Sequence, residues 1–334
     1  MNISISGAPG TGKSSLSAAL AVRGWSVISA GSIMRRHAEE LGVSITEMQS
    51  LAEEGDIDYR IDRSVSEIPA SSMSRHLIDA RMGWAFSPMC LSVQVRCSPE
   101  VAGERVYAAT RRSETYASPG EATAALMARQ KAEDERYRRL YGGISYTDDV
   151  FDIVIDTETM TPEVSADIVE RAALATEEES RNGIIGLFRE EHYWLSNMYE
   201  TAVEFEGLRY GSSEAAYQAQ KFLDPAIRER LSRMDGKSAK KLAATLQPRE
   251  DWLCMRRSVM ERVVMAKFSQ NEELRRKLIC DTEGFWLEEG NTWGDAYFGV
   301  ITSEVTGKPF GANVLGRTLM KVRRELSGRP CLGM

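Results

Sequence analysis

The segment 7–14 reads GAPGTGKS and has the spacing G-x-x-x-x-G-K-[ST]. Glycines at this spacing let backbone N–H groups turn onto phosphate oxygens, while the lysine brings positive charge to the β- and γ-phosphates. Ser14 can ligate Mg²⁺, and the helix that follows adds its N-terminal dipole. The segment therefore predicts a site for ATP and Mg²⁺. The predicted contacts are Gly7, Gly10, Thr11, Gly12, Lys13, Ser14 and Ser15.

A second set of charged residues lies in the segment RQKAEDERYRRLYG. Arg129, Glu133 and Arg136 are spaced i, i+4 and i+7, so a helix places them on one face. Phosphoryl transfer between two nucleotides brings two polyanions together, and it needs cations around them. The set predicts a phosphate clamp; the alternative is an exposed charged face held by i,i+4 pairs.

A third set lies in the segment YGSSEAAYQAQKF. On a helix, Glu214, Tyr217, Gln218 and Lys221 share one face, opposite an apolar stripe. A carboxylate in the first turn, beside an aromatic ring, can act as an acid or base where a pocket desolvates it. The alternative is a capping carboxylate on a solvated amphipathic helix.

Apolar runs that alternate with helix-like segments must position the first two sets. MNISIS, WSVISAG, SRHLIDAR, MCLSVQVR and VFDIVIDT have the length and composition of short strands. Their alternation with helices predicts an α/β fold, a doubly wound parallel sheet flanked by helices. After Gly183 helical patterns dominate, which predicts a second, mainly helical α+β domain carrying the third set.

The acidic, polar stretch ATEEESRNG separates these two patterns. We predict a first domain over 1–176, a linker over 177–183, a second domain over 184–328 and a tail over 329–334. A chain of 334 residues has room for two domains of roughly 100–200 residues each.

Composition narrows the class of partner. The formal net charge is -7, which disfavours a general nucleic-acid surface. The five cysteines form no CxxC pair and the three histidines lie far apart, so we expect no structural metal and a reduced, cytoplasmic protein. No signal peptide or transmembrane run is visible. The expected partners are small-molecule nucleotides and ribosyl phosphates. The sequence does not indicate whether the protein is a monomer or an oligomer.

From Met1 to about Ala175 the chain resembles the cytidylate kinase family of P-loop nucleoside monophosphate kinases, especially its compact archaeal-type branch. SAGSIMRRHAEELGVSITEMQSLAEEGDIDYRID resembles that family's monophosphate-binding region, LIDARMGW its acidic-Gly-Arg strand end, and RQKAEDERYRRLYG its lid. By this resemblance Arg129 and Arg136 clamp the acceptor phosphate and the transferring group. Glu133 orients the acceptor sugar or the arginines.

The same resemblance assigns further contacts. Arg35 would hold the acceptor phosphate, Arg81 would read the base or phosphate, and Ser29 would touch the base. Asp79 would support Mg²⁺ through water. This chain departs from the family at Ala80, where glycine is usual, and the extra methyl group could crowd the acceptor base. CMP, dCMP and a modified pyrimidine monophosphate stay open, as does another small molecule.

From about Gly186 to Leu326 the chain resembles the NADAR, or YbiA-like, family. The segments that carry the resemblance are LSNMY, YGSSEAAYQAQKF, DWLCMRRSVMERVVMAKFSQN, LEEGNTWGDAYFG and GANVLGRTLMKVR, in family order. This resemblance implies an N-glycosidase acting on ribosylamino intermediates of early riboflavin synthesis, or on nucleotide or ADP-ribose conjugates.

Hydrolysis of an N-glycoside passes through an oxocarbenium-like sugar, which a carboxylate stabilises while a second acidic group activates water. Glu214 and Asp295 are the predicted carboxylates. Trp252 would stack on the base and Lys267 would meet a phosphate. Weaker pocket candidates are Asn197, Gln218, Trp293 and Asn313. Ala215 stands where the family often has histidine, so a His-assisted role is lost there.

The sequence as a whole predicts a bifunctional enzyme of nucleotide metabolism, a kinase fused to an N-glycosidase. Two alternatives stay open for the second domain. It could bind ADP-ribose or a nucleotide without catalysis and regulate the kinase. It could instead remove ADP-ribose from a macromolecule, in which case an ADP-ribosylated nucleic acid would be the substrate.

Overall fold

The computed structural model describes residues 1–43, 56–68, 75–109, 116–141, 147–304 and 306–328. The chain divides into two units. Among the described residues, the first comprises Met1–Glu178 with Val300–Ala312, and the second comprises Glu179–Gly299 with residues 313–328.

Five short strands form one sheet in the first unit. They are β1 (Asn2–Ser6), β2 (Ser26–Ser29), β3 (His76–Asp79), β4 (Cys90–Arg96) and β5 (Ile153–Asp156), in the spatial order β2-β3-β1-β4-β5. Every neighbouring pair is parallel. Ile3, Leu77 and Val93 are completely buried in the sheet, as expected for parallel strands covered by helices on both faces. The predicted parallel sheet is confirmed.

Seven helices accompany this sheet among the described residues. They are α1 (Lys13–Val22), α2 (Ala30–Leu41), α3 (Asp56–Ser66), α4 (Gly83–Phe86), α5 (Pro99–Ala108), α6 (Pro119–Tyr141) and α7 (Pro162–Glu178), with a 3₁₀ turn at Asp148–Val150. Because the strands are parallel, the loops after β1, β2 and β3 leave the same edge of the sheet. Residues 44–55 of the segment compared with the monophosphate-binding region lie outside the described residues.

The second unit combines two small strand pairs with helices. Its elements are β6 (Gly183–Gly186), a 3₁₀ turn (Glu190–Leu195), β7 (Glu200–Phe205), β8 (Leu208–Ser212), α8 (Ser213–Ala219), α9 (Pro225–Ser232), α10 (Gly236–Ala243), α11 (Trp252–Ser269), α12 (Glu272–Arg276), a π-helical turn (Lys277–Asp281), β9 (Phe285–Glu288) and α13 (Val314–Leu326). β6 pairs with β9 in parallel, and β7 and β8 form an antiparallel hairpin. The predicted mainly helical α+β character is confirmed.

A short hairpin from late in the chain belongs to the first unit. Strands β10 (Ile301–Thr302) and β11 (Pro309–Phe310) pair antiparallel. The Phe310 ring lies 4.8 Å from that of Phe86, and the Gly311 N–H donates to the Ala85 carbonyl at 3.0 Å. The sequence interpretation had placed this segment in a continuous second domain over 184–328, whereas these contacts group it with α4.

The segment predicted as a linker, 177–183, is largely structured. Helix α7 and strand β6 account for its ends, which leaves residues 179–182 between them. Glu179 is buried, and its carboxylate accepts a hydrogen bond from Arg324 of α13 at 2.9 Å. The segment is therefore anchored to the second unit at Glu179.

Three further observations concern the described residues alone. None of their helices is long and apolar enough to cross a membrane. Within the same residues no group of three or more His, Cys, Asp and Glu side chains is arranged to hold a metal ion. Among them Cys90, Cys97, Cys254 and Cys280 are not in disulfide bonds.

Candidate active sites

The loop between β1 and α1 has the backbone of a phosphate cradle. Gly10 and Gly12 have φ of 82° and 94°, in the left-handed region that side chains with a Cβ rarely adopt. A Cβ on Gly7 would lie 2.3 Å from the Val95 carbonyl oxygen. Helix α1 begins at Lys13, directly after the loop, so its first N–H groups face the position where a phosphate would bind.

Side chains brace this loop from behind. The Thr11 hydroxyl donates to the Ala8 carbonyl at 2.8 Å and closes the turn, and its predicted contact with phosphate stays a prediction. The Thr157 hydroxyl donates to the Thr11 carbonyl at 2.8 Å, and Arg105 donates to Thr157 at 2.8 Å. The sequence analysis did not select Arg105, and it included Thr157 only as the last residue of the run VFDIVIDT.

Lys13 and Asp79 lie together at the carboxyl edge of the sheet. The Lys13 Nζ is 3.7 Å from Asp79 Oδ1, and each side chain keeps roughly a fifth to a quarter of its surface exposed. Ser14 and Ser15 are exposed in the first turn of α1. The donor set fits an Mg²⁺-nucleotide: Lys13 for phosphate, Ser14 and Asp79 for the ion directly or through water.

Arg129 of the predicted clamp and Arg81 converge on the Glu133 carboxylate. Arg129 Nε lies 3.1 Å from Glu133 Oε1, and Arg81 Nη1 lies 4.0 Å from Glu133 Oε2. Arg81 also pairs with Asp134 at 3.2 Å, a partner that the i, i+4, i+7 spacing did not select. Arg136 is half-buried, with its guanidinium 5.3 Å from the Tyr137 ring centre.

Other predicted contacts of the first unit fall differently. The Ser29 hydroxyl accepts from the Ser32 N–H at 3.0 Å in a capping box of α2, and its predicted contact with the base stays a prediction. Arg35 lies in α2, and its side chain is outside the described residues. Ala80 is buried, and its carbonyl accepts from the Ser6 hydroxyl at 3.2 Å.

The second unit contains a cavity of about 940 Å³. Six predicted residues line it: Asn197, Glu214, Gln218, Trp252, Trp293 and Asp295. They come from the loop before β7, from α8, from α11 and from the loop after β9, so the fold brings together residues that are distant along the chain.

Glu214 is buried in the wall of this cavity, with 7% of its surface exposed. Gln218 Nε2 donates to Glu214 Oε1 at 2.7 Å, and the Ser212 hydroxyl caps the helix instead. Burial raises the pKa of Glu214, while Lys240 and the Gln218 hydrogen bond act in the opposite direction. The alternative interpretation, a capping carboxylate on a solvated helix, is therefore wrong.

Asp295 is held by its own loop. Its Oδ1 accepts from the backbone N–H groups of Tyr297 and Phe298 at 3.2 and 2.9 Å. Asn291 donates its side-chain amide to the Asp295 carbonyl at 2.8 Å and accepts from the Asp295 N–H at 3.0 Å. These bonds fix the carboxylate and stabilise its negative charge.

Glu289 lines the same cavity and was not selected from the sequence, although it lies in the quoted segment LEEGNTWGDAYFG. Burial, reinforced by the neighbouring Asp295 charge, raises the pKa of Glu289 to about 7. Two adjacent glutamates before a turn were the available signal. The sequence does not show which of the two faces inward.

Basic and aromatic side chains complete the cavity wall. Its cations are Lys221, Lys237, Lys240 and Arg256. Trp252 is buried in the wall beside Tyr217, with 5.1 Å between ring centres. Trp293 is 56% exposed, and the Arg189 guanidinium lies 5.5 Å from its ring centre. The wall therefore offers cations for a phosphate and rings for a base.

Two predicted contacts are structural instead. Lys267 is completely buried, and its Nζ donates to the carbonyls of Trp194 and Ser196 at 2.7 and 2.8 Å, so it cannot meet a phosphate in the cavity. Asn313 is buried as well; its amide donates to the Leu287 carbonyl at 2.8 Å, and its Oδ1 accepts from the Glu289 N–H at 3.1 Å.

Replacement of Lys267 by methionine is expected to destabilise the second unit. Methionine fills a similar volume but removes both hydrogen bonds. The Trp194 carbonyl loses this donor, at about 1–3 kcal/mol, and the Ser196 carbonyl keeps the Tyr199 N–H at 3.1 Å. We expect a loss of roughly 2–5 kcal/mol, measured as a lower midpoint in urea by tryptophan fluorescence. Lys241→Met, which removes an exposed lysine of α10, is the matched control. Equal midpoints for the two variants would show that the carbonyl contacts of Lys267 contribute nothing.

The fold and the two sites define the class: a P-loop kinase unit joined to an α+β unit with an acidic cavity. Comparison with known proteins places both halves in families. The NADAR domain family matches residues 187–327. A cytidylate kinase of Ignicoccus hospitalis is 34% identical over 174 residues, which are 51% of this chain and 97% of that protein.

Two relatives match the second half. The N-glycosidase YbiA of Escherichia coli is 33% identical over 139 residues, 40% of this chain and 81% of that protein. A riboflavin biosynthesis protein of Vibrio vulnificus is 39% identical over 143 residues, 41% of this chain and 36% of that protein, so the match spans about a third of that relative. The chain therefore belongs to the cytidylate kinase family over its first half and to the NADAR, YbiA-like N-glycosidase family over its second.

Proposed function

We propose that the first unit transfers a phosphoryl group from ATP to a pyrimidine nucleoside monophosphate, CMP or dCMP. We propose that the second unit hydrolyses the N-glycosidic bond of a phosphorylated ribosyl compound. The observation that carries the second assignment is the placement of Glu214, Glu289 and Asp295 in the wall of one cavity that also presents basic and aromatic side chains.

The phosphotransfer proposal rests on the arrangement around the carboxyl edge of the sheet. Lys13 meets the phosphates of the donor, and Mg²⁺-ATP supplies the phosphoryl group when bound. Arg81 and Arg129 both lie beside Glu133. An acceptor phosphate bound there would meet two guanidinium groups that the fold already holds together. The 34% identity to a protein described as a cytidylate kinase supports a pyrimidine acceptor.

The hydrolysis proposal assigns different roles to two carboxyls. Asp295, with its charge stabilised by two backbone N–H groups, faces the positive charge that develops on the sugar. Glu214, whose pKa is raised by burial, accepts a proton from the attacking water. Gln218 holds Glu214 Oε1 and so directs the other oxygen of this carboxylate.

The cavity also indicates the kind of substrate. Lys237 lies in the first turn of α10, where the helix dipole favours an anion, and Lys240 lies in its last turn. Both line the cavity, and we assign to them the phosphate contact once expected of Lys267. Trp252 and the exposed Trp293 would stack on the base. The name of the Vibrio vulnificus relative, a riboflavin biosynthesis protein, favours a ribosylamino compound of riboflavin synthesis over an ADP-ribosylated macromolecule.

A nucleotide screen by mass spectrometry tests both assignments. The full chain is incubated with ATP, Mg²⁺ and each common nucleoside monophosphate, and separately with ribosylaminopyrimidine phosphates, NAD and an ADP-ribosylated guanine oligonucleotide. A diphosphate in the first series and a free base or amine in the second are expected. If neither series shows a mass change, both assignments fail; cleavage of the oligonucleotide alone would favour the macromolecular alternative.

The fusion suggests a joint role, in which one unit makes or clears a nucleotide that the other uses. We also infer a cytoplasmic setting, because ATP is the expected donor and the described cysteines are not in disulfide bonds. The joint role fails if the two substrates identified by the screen share neither a base nor a sugar phosphate.

A further inference from the structure

We propose that Glu289 is the general acid of the second unit, the group that gives a proton to the leaving nitrogen of the N-glycoside. This inference rests on the proposed hydrolysis and assigns the one role which Glu214 and Asp295 leave open. An amine or base leaves poorly as an anion, so a positioned proton donor is required for a fast reaction.

The structure holds Glu289 by its backbone and leaves its carboxyl facing the cavity. Asn313 Oδ1 accepts from the Glu289 N–H at 3.1 Å, at the point where β9 ends. A Cβ on Gly299 would lie 2.2 Å from the Glu289 carbonyl oxygen and 3.2 Å from the Glu289 Cγ. The backbone of Gly299 therefore packs directly against the aliphatic part of the Glu289 side chain. Glu289 Oε2 is buried and has no hydrogen-bond partner within the described part of the chain.

Unsatisfied buried atoms in the same wall point to a ligand with several polar groups. Asn197 Oδ1 and Gln218 Oε1 are also buried without a hydrogen-bond partner among the described residues. Both belong to side chains that line the cavity with Glu289 Oε2. Buried polar atoms are normally paired, so three of them around one cavity indicate bound hydroxyl, amine or amide groups of a substrate.

Burial, with a smaller effect of the nearby charges, raises the pKa of Glu289. The charged groups that act on it or respond to it are Asp295, Arg189, Glu214, Lys240 and Lys267. The carboxylates of Asp295 and Glu214 raise the pKa of Glu289 beyond the effect of burial, while Arg189 and Lys240 lower it, and the result is about 7. Neighbouring carboxylates in a desolvated site cannot all be ionised, so one of them retains a proton near neutral pH.

Hydrogen bonding decides which carboxyl carries that proton. Asp295 Oδ1 accepts hydrogen bonds from two backbone N–H groups. Glu214 Oε1 accepts from Gln218, which opposes the rise in the pKa of Glu214. Glu289 receives no comparable donor on Oε2 among the described residues, and it is therefore the carboxyl best suited to remain protonated.

The reaction balances with these groups alone. The C1′–N bond breaks and its electron pair goes to nitrogen, which takes the proton of Glu289. Water adds through oxygen to C1′ and gives one proton to Glu214. The products are the free amine or base and the ribose phosphate. Return of one proton from Glu214 to Glu289, directly or through solvent, restores the starting state.

Two substrates with different leaving groups test the assignment. A ribosylaminopyrimidine phosphate needs protonation of its nitrogen, whereas 4-nitrophenyl ribofuranoside 5-phosphate releases a nitrophenolate that needs none. For Glu289→Gln we expect a loss of about 10²–10⁴-fold in kcat on the first substrate and less than about 10-fold on the second. Glu288→Gln is the matched control. Glu288 is the preceding residue, burial also raises its pKa, and it faces the Arg317 charge rather than the cavity.

The pH profile supplies a second readout. Since the protonated form of Glu289 is the active one, kcat of the wild type on the ribosylamine should fall as pH rises through about 7. This fall should be absent in Glu289→Gln and present, at a lower rate, in Glu289→Asp. The aspartate variant also separates loss of the acid from loss of folding.

The possible outcomes are distinct. Equal losses on both substrates, or a fall above neutral pH that persists in Glu289→Gln, would overturn the role of Glu289 and leave the proposed hydrolysis intact. A wild type that cleaves neither substrate, nor any compound of the screen, would overturn both proposals.

Discussion

Lys13→Ala is expected to lower the rate of phosphotransfer to the pyrimidine monophosphate by about 10²–10³-fold, the size seen when one preorganised charge contact is lost. Lys13 is placed by the left-handed glycines before it and by the start of α1, and its Nζ lies 3.7 Å from Asp79. Formation of ADP by the full chain is the measurement. Hydrolysis by the second unit should not change, because Lys13 belongs to the first.

Arg171→Ala provides the control for removal of a positive charge from the same unit. Arg171 is exposed on α7 and its Nε donates to the Asp167 carbonyl within the helix. We expect this variant to keep the wild-type rate. If Lys13→Ala also keeps it, the loop does not bind the transferred phosphate, and the kinase assignment fails although the fold stands.

The cradle could be predicted because its chemistry is local. Gly10 and Gly12 need left-handed backbone angles, and the spacing of eight consecutive residues already encodes where those angles, the lysine and the helix start will be. The clamp was partly predictable for the same reason, since Arg129 and Glu133 are neighbours on one helix face. Asp134 was missed because its contact with Arg81 joins residues 53 positions apart.

Lys267 shows where such reasoning fails. A lysine in the last turn of an amphipathic helix normally faces solvent or an anion, and spacing alone cannot place it inside. Its burial depends on the carbonyls of Trp194 and Ser196, which are 73 and 71 residues away in sequence. Only the tertiary structure shows that the Lys267 side chain has a structural role.

Glu289 and Asn313 are a second case in which the sequence alone could not show which residue reaches the cavity. The pattern of β9 does not reveal which of Glu288 and Glu289 reaches the cavity, because the answer depends on Gly299 and on the left-handed Asn313 that caps α13. Asn313 was predicted as a pocket residue from its segment alone. Its function in the structure is to fix the backbone that carries Glu289.

Glu214→Gln is expected to reduce release of the base or amine by about 10²–10⁴-fold, because glutamine cannot accept the proton of the attacking water. The change preserves shape, and the new side chain can still accept the hydrogen bond of Gln218, so the fold should be retained. The measurement is single-turnover hydrolysis of a ribosylaminopyrimidine phosphate by the full chain. Glu204→Gln, on an exposed position of β7, is the matched control.

This variant also separates an enzyme from a binding module. If Glu214 acts as the base, Glu214→Gln should still bind the substrate, since the cations and aromatic rings of the cavity are unchanged, while its turnover is lost. Unchanged hydrolysis in Glu214→Gln would remove Glu214 from the reaction. Substrate binding by wild type and variant alike, with hydrolysis by neither, would identify the second unit as a nucleotide-binding module. Burial raises the pKa of Glu214 in the wall of the cavity, and carboxyls with pKa values perturbed in this way are common at catalytic sites, which favours turnover.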